Sequence, residues 1–352
     1  MADRFRPEAL EQFARQLFAA AGFDDDKAGT TARLLVAADL MGHTTHGLAL
    51  AGPYLDDARS GAMKTSGEPS VIGQTPATLA WDGHYLPGLW LTDRAVGEAI
   101  ARARKVGIGS VAIRRSHHIG CLAAFLERAT AEGLMIILSS SDPSVASVAP
   151  YGGARPAFTP NPIAIGIPTD GDPILVDISA SITTNGMSNR LVAEGRKAEH
   201  RWYVGADGVP TNDPSVINAD PAGAILPIGG LDHGHKGYGL GLTIEALTQG
   251  LSGFGRSTAP SQWGAAVYVQ VMDPAAYGGS EAFLHEMGWL RRACAAIPPM
   301  QGVEKVRLPG DAALARRRRA LSEGVELYPG IMARLTREAA TAGVTPPRPL
   351  AG

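Results

Sequence analysis

The sequence has few cysteines, no long apolar run and almost no net charge. Cys121 and Cys294 are the only cysteines among 352 residues. Two are too few for the disulfide framework of a small secreted protein or for a cysteine-rich zinc or iron–sulfur centre. No apolar stretch approaches the length that spans a bilayer. We therefore expect a cytoplasmic protein that makes no contact with a membrane.

The charge balance also limits the partners of the protein. Lys and Arg number 32 against 34 Asp and Glu, which gives a formal net charge of −2. Nucleic-acid-binding domains are usually basic, and the run at residues 316–319 is most simply the solvated face of a helix. The length suffices for two domains or one large one. The composition favours a globular protein that binds a small neutral or anionic molecule.

Residues 234–247 combine four glycines, His235 and Lys236 with an apolar pattern of helical spacing. A helix start offers unpaired N–H groups and the positive end of the helix dipole, where phosphate and carboxylate groups bind readily. Lys236 adds a positive charge. We interpret the stretch as an anion-binding helix start. The alternative is a glycine-rich helix packed tightly against a sheet.

The spacing of apolar residues predicts an α/β protein. It indicates two helices within residues 7–41, alternating short strands and helices from residue 71, and mostly helices from residue 280. Residues 107–112 match the glycine fingerprint of Rossmann loops. However, they follow a predicted helix and open a predicted strand, whereas a Rossmann loop follows a strand and opens a helix, so we reject the match. We expect a helix at residues 122–132 and only loops and turns at residues 186–232.

Polar clusters follow several of the predicted helices and strands, where α/β proteins commonly place functional groups. The clusters contain Thr45 and His46, His117 and His118, Ser140 and Asp142, and Asp177 and Ser179. Imidazole titrates near neutral pH, which suits it to proton transfer. Asp142 either orients an imidazole or caps the next turn.

The histidine pairs leave a metal-dependent hydrolase open as an alternative. The pairs are His43/His46, His117/His118 and His233/His235, and imidazole is a common zinc ligand. No His-Glu-x-x-His string is present, and no carboxylate has a fixed spacing to any pair. A serine hydrolase is disfavoured because no Gly-x-Ser-x-Gly elbow occurs. We expect no metal.

Five motifs occur in the order found in one family: residues 42–47, 114–120, 159–162 with 176–181, 234–239 and 306–311. Because of these motifs, the chain resembles the type-2 malate/L-lactate dehydrogenase family. The paired histidines His117 and His118 and residues 308–310 are most similar to its hydroxycarboxylate dehydrogenase branch. The resemblance implies an oxidoreductase that transfers a hydride between nicotinamide and a 2-hydroxy acid or 2-oxo acid. It implies NAD or NADP as cofactor, with NAD favoured, a small carboxylate substrate and a homodimer.

The resemblance also implies a fold: a non-Rossmann nicotinamide-binding α/β domain with an accessory helical domain formed by the N- and C-terminal segments. We expect residues 1–70 plus 280–352 in the helical domain and residues 71–279 in the central NAD(P)-binding domain. The catalytic residues implied are His46 and His118, one of which exchanges a proton with the substrate oxygen, with Thr45 and Asp142 beside them. The implied cofactor contacts are Gly120, Cys121, Leu122, Ser140, Leu175, Val176, Asp177, Ile178, Ser179, His235, Lys236, Gly310 and Asp311.

Two positions depart from the family pattern. Many members carry an arginine for the substrate carboxylate four residues after the histidine that matches His46, where this chain has Leu50, and Met187 stands where the family has a lysine after Gly186. Either another arginine substitutes or the substrate is bulkier; the candidates are Arg115, Arg155 and Arg190. A same-fold reductase of a cyclic imine, ureido acid or sugar acid stays an alternative.

Overall fold

A computed structural model describes residues 3–350 of the chain. Its α-helices are α1 Pro7–Ala20, α2 Asp25–Leu40, α3 Ala51–Ser60, α4 Gly88–Val106, α5 Glu127–Thr130, α6 Asn185–Ala193, α7 Gly230–Glu245, α8 Ser280–Ala295, α9 Asp311–Glu323 and α10 Ile331–Ala342. Its strands are β1 Arg4–Phe5, β2 Ser70–Gln74, β3 Thr78–Asp82, β4 Ile108–Ser116, β5 Met135–Ser141, β6 Pro162–Ile167, β7 Ile174–Ser179, β8 Tyr203–Val204, β9 Pro210–Thr211, β10 Ala224–Ile225, β11 Ala265–Met272 and β12 Val325–Glu326. The prediction of a mixed α/β protein is confirmed.

The central sheet has seven strands in the order β2-β3-β4-β11-β5-β6-β7. The pair β3–β4 is parallel, and the other neighbouring pairs are antiparallel. β11 lies in the middle because its sequence is apolar almost throughout and its side chains are nearly all buried, as a strand covered on both faces requires. β7 is an edge strand. The carboxyl end of β4 therefore lies next to the start of β11 and near the end of β5.

Helices from both ends of the chain pack into the same hydrophobic core as the sheet. α1 packs against α2 and α10, and α2 also contacts α4 and α9. One buried cluster joins Phe18 and Leu35 of the first helices, Val269 of the central strand and Leu335 of α10. The loop between α2 and α3, which carries His43 and His46, is thereby fixed beside the sheet.

The observed elements agree with most of the predicted ones. The two helices predicted within residues 7–41 are α1 and α2, strands and helices alternate from β2 onwards, and the helices α8, α9 and α10 follow from residue 280. Residues 122–132 form a 3₁₀ turn and the four-residue α5 rather than one helix. The expectation of loops alone at residues 186–232 was wrong, because α6 and the short strands β8 to β10 lie there. Among residues 3–350, none of the helices combines the length and apolar character needed to cross a bilayer.

Candidate active site

The loop after α2 is held in place by a buried carboxyl group. Oδ2 of Asp39 accepts a hydrogen bond from the backbone N–H of Leu48 at 2.7 Å. Gly47 is required here, since a Cβ atom would lie 2.4 Å from the Asp39 carboxylate. Gly42, with φ of +86°, ends the helix in the left-handed conformation that glycine favours. Together these contacts fix the segment that ends in His46.

The end of β4 delivers two histidines with different surroundings. His117 is fully buried, and its Nε2 lies 3.0 Å from Oδ2 of Asp57. His118 is half-buried, and its Nδ1 lies 2.7 Å from the hydroxyl of Tyr54. The start of α4 approaches this segment so closely that a Cβ on Gly88 would lie 2.0 Å from the His117 carbonyl oxygen. His117 is thus a core residue, and His118 is the one that faces open space.

His46 and His118 lie close together although 72 positions separate them in the sequence. Their ring centroids are 6.0 Å apart with an interplanar angle of 29°. Trp263 stacks on the other side of His118 at 4.9 Å. Thr45 Oγ1 lies 2.8 Å from Nδ1 of His46. Each imidazole therefore has a hydroxyl partner on Nδ1.

Both imidazoles are neutral at physiological pH. Burial, and next the nearby His43, lower the pKa of His46 to about 4. Burial, followed by the neighbouring His46 and His117, lowers the pKa of His118 well below its ordinary value. Removing a charged imidazole from water and placing it beside others disfavours the protonated form. Both rings are accordingly neutral when a ligand enters the site.

The backbone selects one tautomer of His118. Its Nδ1 is 3.3 Å from the backbone N–H of Gly120. Because an amide N–H can only donate, Nδ1 carries the lone pair, and the proton of the neutral ring is on Nε2. Nε2 itself has no hydrogen-bond partner within residues 3–350. His118 can therefore donate a hydrogen bond to a bound oxygen atom.

A cavity of about 710 Å³ opens in front of these two rings. Its lining includes all four predicted catalytic residues and seven of the predicted cofactor contacts, namely Gly120, Cys121, Leu122, Ser140, Asp177, Ile178 and Ser179. Leu50, Asn161, Met187, Arg190 and Trp263 also line it. The predicted polar clusters thus converge on one site.

Asp142 lines the cavity but has no imidazole partner within the described residues. Its Oδ1 accepts hydrogen bonds from the backbone N–H of Ser144 at 2.8 Å and from the Ser144 hydroxyl at 2.7 Å. Burial raises the pKa of Asp142. Of the two roles open from the sequence, the structure shows the turn cap. Tyr54 and Thr45 contact the imidazoles instead.

The remaining predicted cofactor contacts do not line the cavity. Leu175 and Val176 precede the part of β7, residues 177–179, that lines the cavity. The backbone N–H of Leu175 donates a hydrogen bond to the Pro309 carbonyl at 3.0 Å. Gly310 and Asp311 therefore lie beside the start of β7, while the end of β7 borders the cavity. Along six residues a strand spans roughly 20 Å. Gly310 and Asp311 thus lie up to roughly 20 Å along β7 from the cavity.

His235 and Lys236 are exposed on α7 and lie outside the cavity wall. Backbone angles of φ −126° and ψ 17° at His233 break the helix, so the regular part begins at Gly234 as predicted. A Cβ on Gly237 would lie 2.4 Å from the Ile228 nitrogen, which is the tight packing considered as the alternative. Anion binding at this helix start stays a prediction.

The described residues do not gather the histidine pairs around one point. His43, Cys121 and Asp177 bring potential metal-ligand atoms within 4.8 Å of one another, and this group contains one histidine from the three pairs. Cys121 Sγ donates to Oδ2 of Asp177 at 3.7 Å. Burial and the neighbouring Asp177 raise the pKa of the Cys121 thiol well above its usual range. The group is held together by hydrogen bonds between a neutral thiol and a carboxyl.

The three candidate arginines have different positions. Arg115 pairs with Asp82, and Arg155 is exposed away from the cavity. Arg190, on α6, lines the cavity. Sequence reasoning missed Tyr54 and Trp263 as members of the site. The sequence contained no signal for them, since both are apolar-patterned aromatic residues far from His118 in the chain.

Comparison with known proteins identifies the family of the chain. The sequence profile of the family described as Malate/L-lactate dehydrogenase matches residues 5–336. The chain belongs to this family. The chain is 30% identical to the L-lactate dehydrogenase of Cupriavidus necator, over 96% of this chain and 98% of that protein. It is 34% identical to the (2R)-3-sulfolactate dehydrogenase (NADP(+)) of Chromohalobacter salexigens, over 90% and 92%.

A solved structure also matches this member of the malate/L-lactate dehydrogenase family over nearly its full length. Delta1-piperideine-2-carboxylate reductase from Pseudomonas syringae pvar. tomato superposes with a TM-score of 0.84 at 28% identity, covering 96% of this chain and 99% of that one. The predicted family and the predicted class, an oxidoreductase acting on hydroxy acids, are therefore confirmed.

Proposed function

We propose that the protein is an NAD-dependent dehydrogenase that interconverts a 2-hydroxy acid and a 2-oxo acid. The observation that supports this proposal is that His46 and His118, whose ring centroids are 6.0 Å apart, face one cavity. Removing a hydride from an alcohol carbon also requires a base for the hydroxyl proton. Two neutral imidazoles beside a cavity large enough for a small acid meet that requirement.

The surroundings of the cavity fit a nicotinamide ring. β7 is an edge strand, and beyond Leu175, whose N–H donates to Pro309, its outer N–H and C=O groups face no further strand of the described sheet and can pair with a carboxamide. Gly120, with φ of +64°, lies against the His46 carbonyl oxygen, where a Cβ would approach to 3.4 Å. The bound cofactor supplies or accepts the hydride. We propose that the cofactor-contact residues named from the sequence hold it.

We propose different roles for the two imidazoles, with His118 as hydrogen-bond donor and His46 as proton acceptor. His118 donates its Nε2–H to the substrate oxygen, as its tautomer requires. If Thr45 Oγ1 accepts a hydrogen bond from Nδ1–H of His46, the lone pair is on Nε2 of His46, and this atom takes the hydroxyl proton during oxidation. His46 returns the proton during reduction. Tyr54 orients His118 through its 2.7 Å hydrogen bond.

We propose NAD rather than NADP because Arg291, beside the predicted Gly310–Asp311 contact, is paired with Asp311 at 3.3 Å and so is not free to bind the extra phosphate of NADP. The name of one relative specifies NADP(+), so the direct test of this choice is to compare the KM values for NADH and NADPH.

We further propose that the protein is a cytoplasmic homodimer. We also propose a non-Rossmann fold with two domains, residues 1–70 plus 280–352 and residues 71–279. The largely antiparallel sheet supports that fold.

The test is reduced-nicotinamide absorbance with NADH or NADPH and a panel of 2-oxo acids. We expect His46→Ala and His118→Ala each to lower kcat by about a hundredfold or more, with cofactor affinity retained. His200→Ala is the matched control, since His200 is 74% exposed and outside the cavity. Activity abolished by chelators, with no nicotinamide binding, would refute the proposal in favour of a metal-dependent hydrolase.

A second candidate is reduction of a cyclic imine. The similarity to delta1-piperideine-2-carboxylate reductase favours it, because such an imine also carries a carboxylate next to the carbon that receives the hydride. Including that compound in the panel separates the two. A kcat/KM for the imine that exceeds every 2-oxo acid would support the second candidate.

A further inference from the structure

Arg190 is the only lysine or arginine among the described residues that line the cavity. Its guanidinium carbon lies 3.8 Å from the centroid of the Tyr328 ring. Its Nη1 donates to Thr44 Oγ1 at 3.3 Å. These two contacts hold the side chain in place and neither is an ion pair, although the guanidinium lies near enough to Glu194 to help lower the pKa of that carboxyl. An arginine fork fixed in this manner suits a bound carboxylate.

The acidic groups of the cavity limit where a second anion could bind. Asp142 and Asp177 are the carboxyl groups of its described lining. Asp177 accepts hydrogen bonds from Cys121 and from the backbone N–H of Ala123, so it is occupied. A second anionic group on the substrate would lose its hydration without gaining a cation, which is costly in a partly buried site.

Several large apolar side chains also contribute to the wall of the cavity. Leu50, Ile119 and Trp263 line it. Val145 and Met187 also line it and are 39% and 42% exposed. Large apolar side chains left exposed around a cavity commonly mark the contact surface for a ligand.

We infer that the substrate is a monocarboxylic 2-oxo acid, or the matching 2-hydroxy acid, with an apolar side chain, and that Arg190 binds its carboxylate. The inference rests on the proposed function and adds the substrate class to it. One fixed cation matches one carboxylate, and the apolar wall matches the side chain. Dicarboxylates and sulfonated acids are disfavoured because they bring a second negative charge.

The first experiment compares substrates with the wild-type enzyme. The panel contains pyruvate, 2-oxobutyrate, 4-methyl-2-oxopentanoate, oxaloacetate, 2-oxoglutarate and 3-sulfopyruvate. We expect kcat/KM for the best monocarboxylic acid to exceed that for every dianionic acid by about tenfold or more, because each 1.4 kcal/mol of lost binding is tenfold. A preference for a dianionic acid overturns the inference alone. The absence of turnover with every 2-oxo acid refutes the proposed function as well.

The second experiment tests Arg190 and Leu50. Arg190→Met should lower kcat/KM for monocarboxylic acids by roughly a hundredfold, the size expected when one partner of a buried charge pair is removed, with NADH affinity unchanged. Arg190→Lys should keep part of the activity and guards against a folding defect. Arg155→Met is the matched control, expected to behave as wild type. Unaltered kinetics in Arg190→Met would overturn the inference.

Leu50→Arg provides a gain-of-function test because it adds a second cation to the cavity wall. We expect the ratio of kcat/KM for oxaloacetate to that for pyruvate to rise about tenfold or more. Val209→Arg adds the same charge at a 58% exposed position outside the cavity wall and should leave this ratio close to wild type. If Leu50→Arg leaves the ratio unchanged, the lack of a second cation is not what sets the substrate class.

Discussion

Asp39 is a buried carboxyl group whose ionisation should destabilise the fold. It is 6% exposed, its Oδ2 accepts one hydrogen bond from Leu48, and its Oδ1 has no partner within the described residues. Burial raises its pKa from 3.8 to about 7, more than the Leu48 hydrogen bond lowers it. The perturbation we choose is Asp39→Asn, which keeps the shape and an acceptor for Leu48 but cannot ionise.

The size of the change in the free energy of unfolding follows from the proton that Asp39 retains in the folded state. Between pH 3.8 and about 7 the folded protein keeps this proton while the unfolded chain has released it. The free energy of unfolding is therefore highest below pH 3.8 with respect to this group, and it falls as pH rises towards 7. At about 1.4 kcal/mol per pKa unit, the loss between pH 5 and pH 8 amounts to roughly 2 to 3 kcal/mol.

The assay is denaturant unfolding of wild type and Asp39→Asn at pH 5, 6.5 and 8. We expect the stability of Asp39→Asn relative to wild type to increase by about 2 to 3 kcal/mol from pH 5 to pH 8. Asp207→Asn, an exposed turn residue outside the cavity wall, is the control and should show no such trend. A difference between Asp39→Asn and wild type that stays constant across this range would refute the reasoning.

Three further expectations concern the site. Tyr54→Phe removes the hydroxyl donor of His118 and should lower kcat about tenfold with NADH affinity unchanged, measured by steady-state kinetics; an unchanged kcat would contradict the orienting role. Because the pKa of His46 is about 4, kcat/KM for oxidation should stay constant from pH 8 to pH 5, and a decline centred near 6.5 would contradict a buried base. Iodoacetamide at pH 8 should modify Cys294 faster than the buried Cys121, whose pKa is raised, as peptide mass spectrometry will show; the reverse order would contradict this assignment.

The fold was largely predictable where apolar spacing is strong. β11 is apolar at nearly every position, and this apolar run alone predicts a strand at residues 265–272, which are the observed bounds. α6 was missed because its sequence, Asn185–Ala193, has one buried residue, Ser188, and so lacks an apolar stripe. The helix expected at residues 122–132 is divided by the change from a 3₁₀ turn to α5. Such a change depends on packing against β6 and β7 rather than on local spacing.

The candidate site was predictable where polar residues follow strands and helices. His46 and His118 were named from motifs, and the structure brings them to one cavity. Tyr54 could not be assigned because its partner His118 is 64 residues away, and only the fold brings them together. The same reason left three arginines open for the substrate carboxylate. A sequence shows which arginines are present but not which of their side chains face the cavity.

The arrangement of charges further suggests how the substrate prepares the proton donor for reduction. Without substrate, burial and repulsion by neighbouring imidazoles lower the pKa of both His46 and His118. A carboxylate bound to Arg190, as proposed, would introduce a negative charge into the same cavity, and a nearby opposite charge favours the protonated form of an imidazole. We therefore expect a 2-oxo acid to raise the pKa of His46 as it binds and to promote uptake of the proton that reduction consumes. In oxidation the hydroxy acid supplies that proton itself, so the neutral ring is already the required form. Under the proposed function, one pair of half-buried imidazoles serves both directions because the substrate, rather than the protein, carries the charge that sets their protonation.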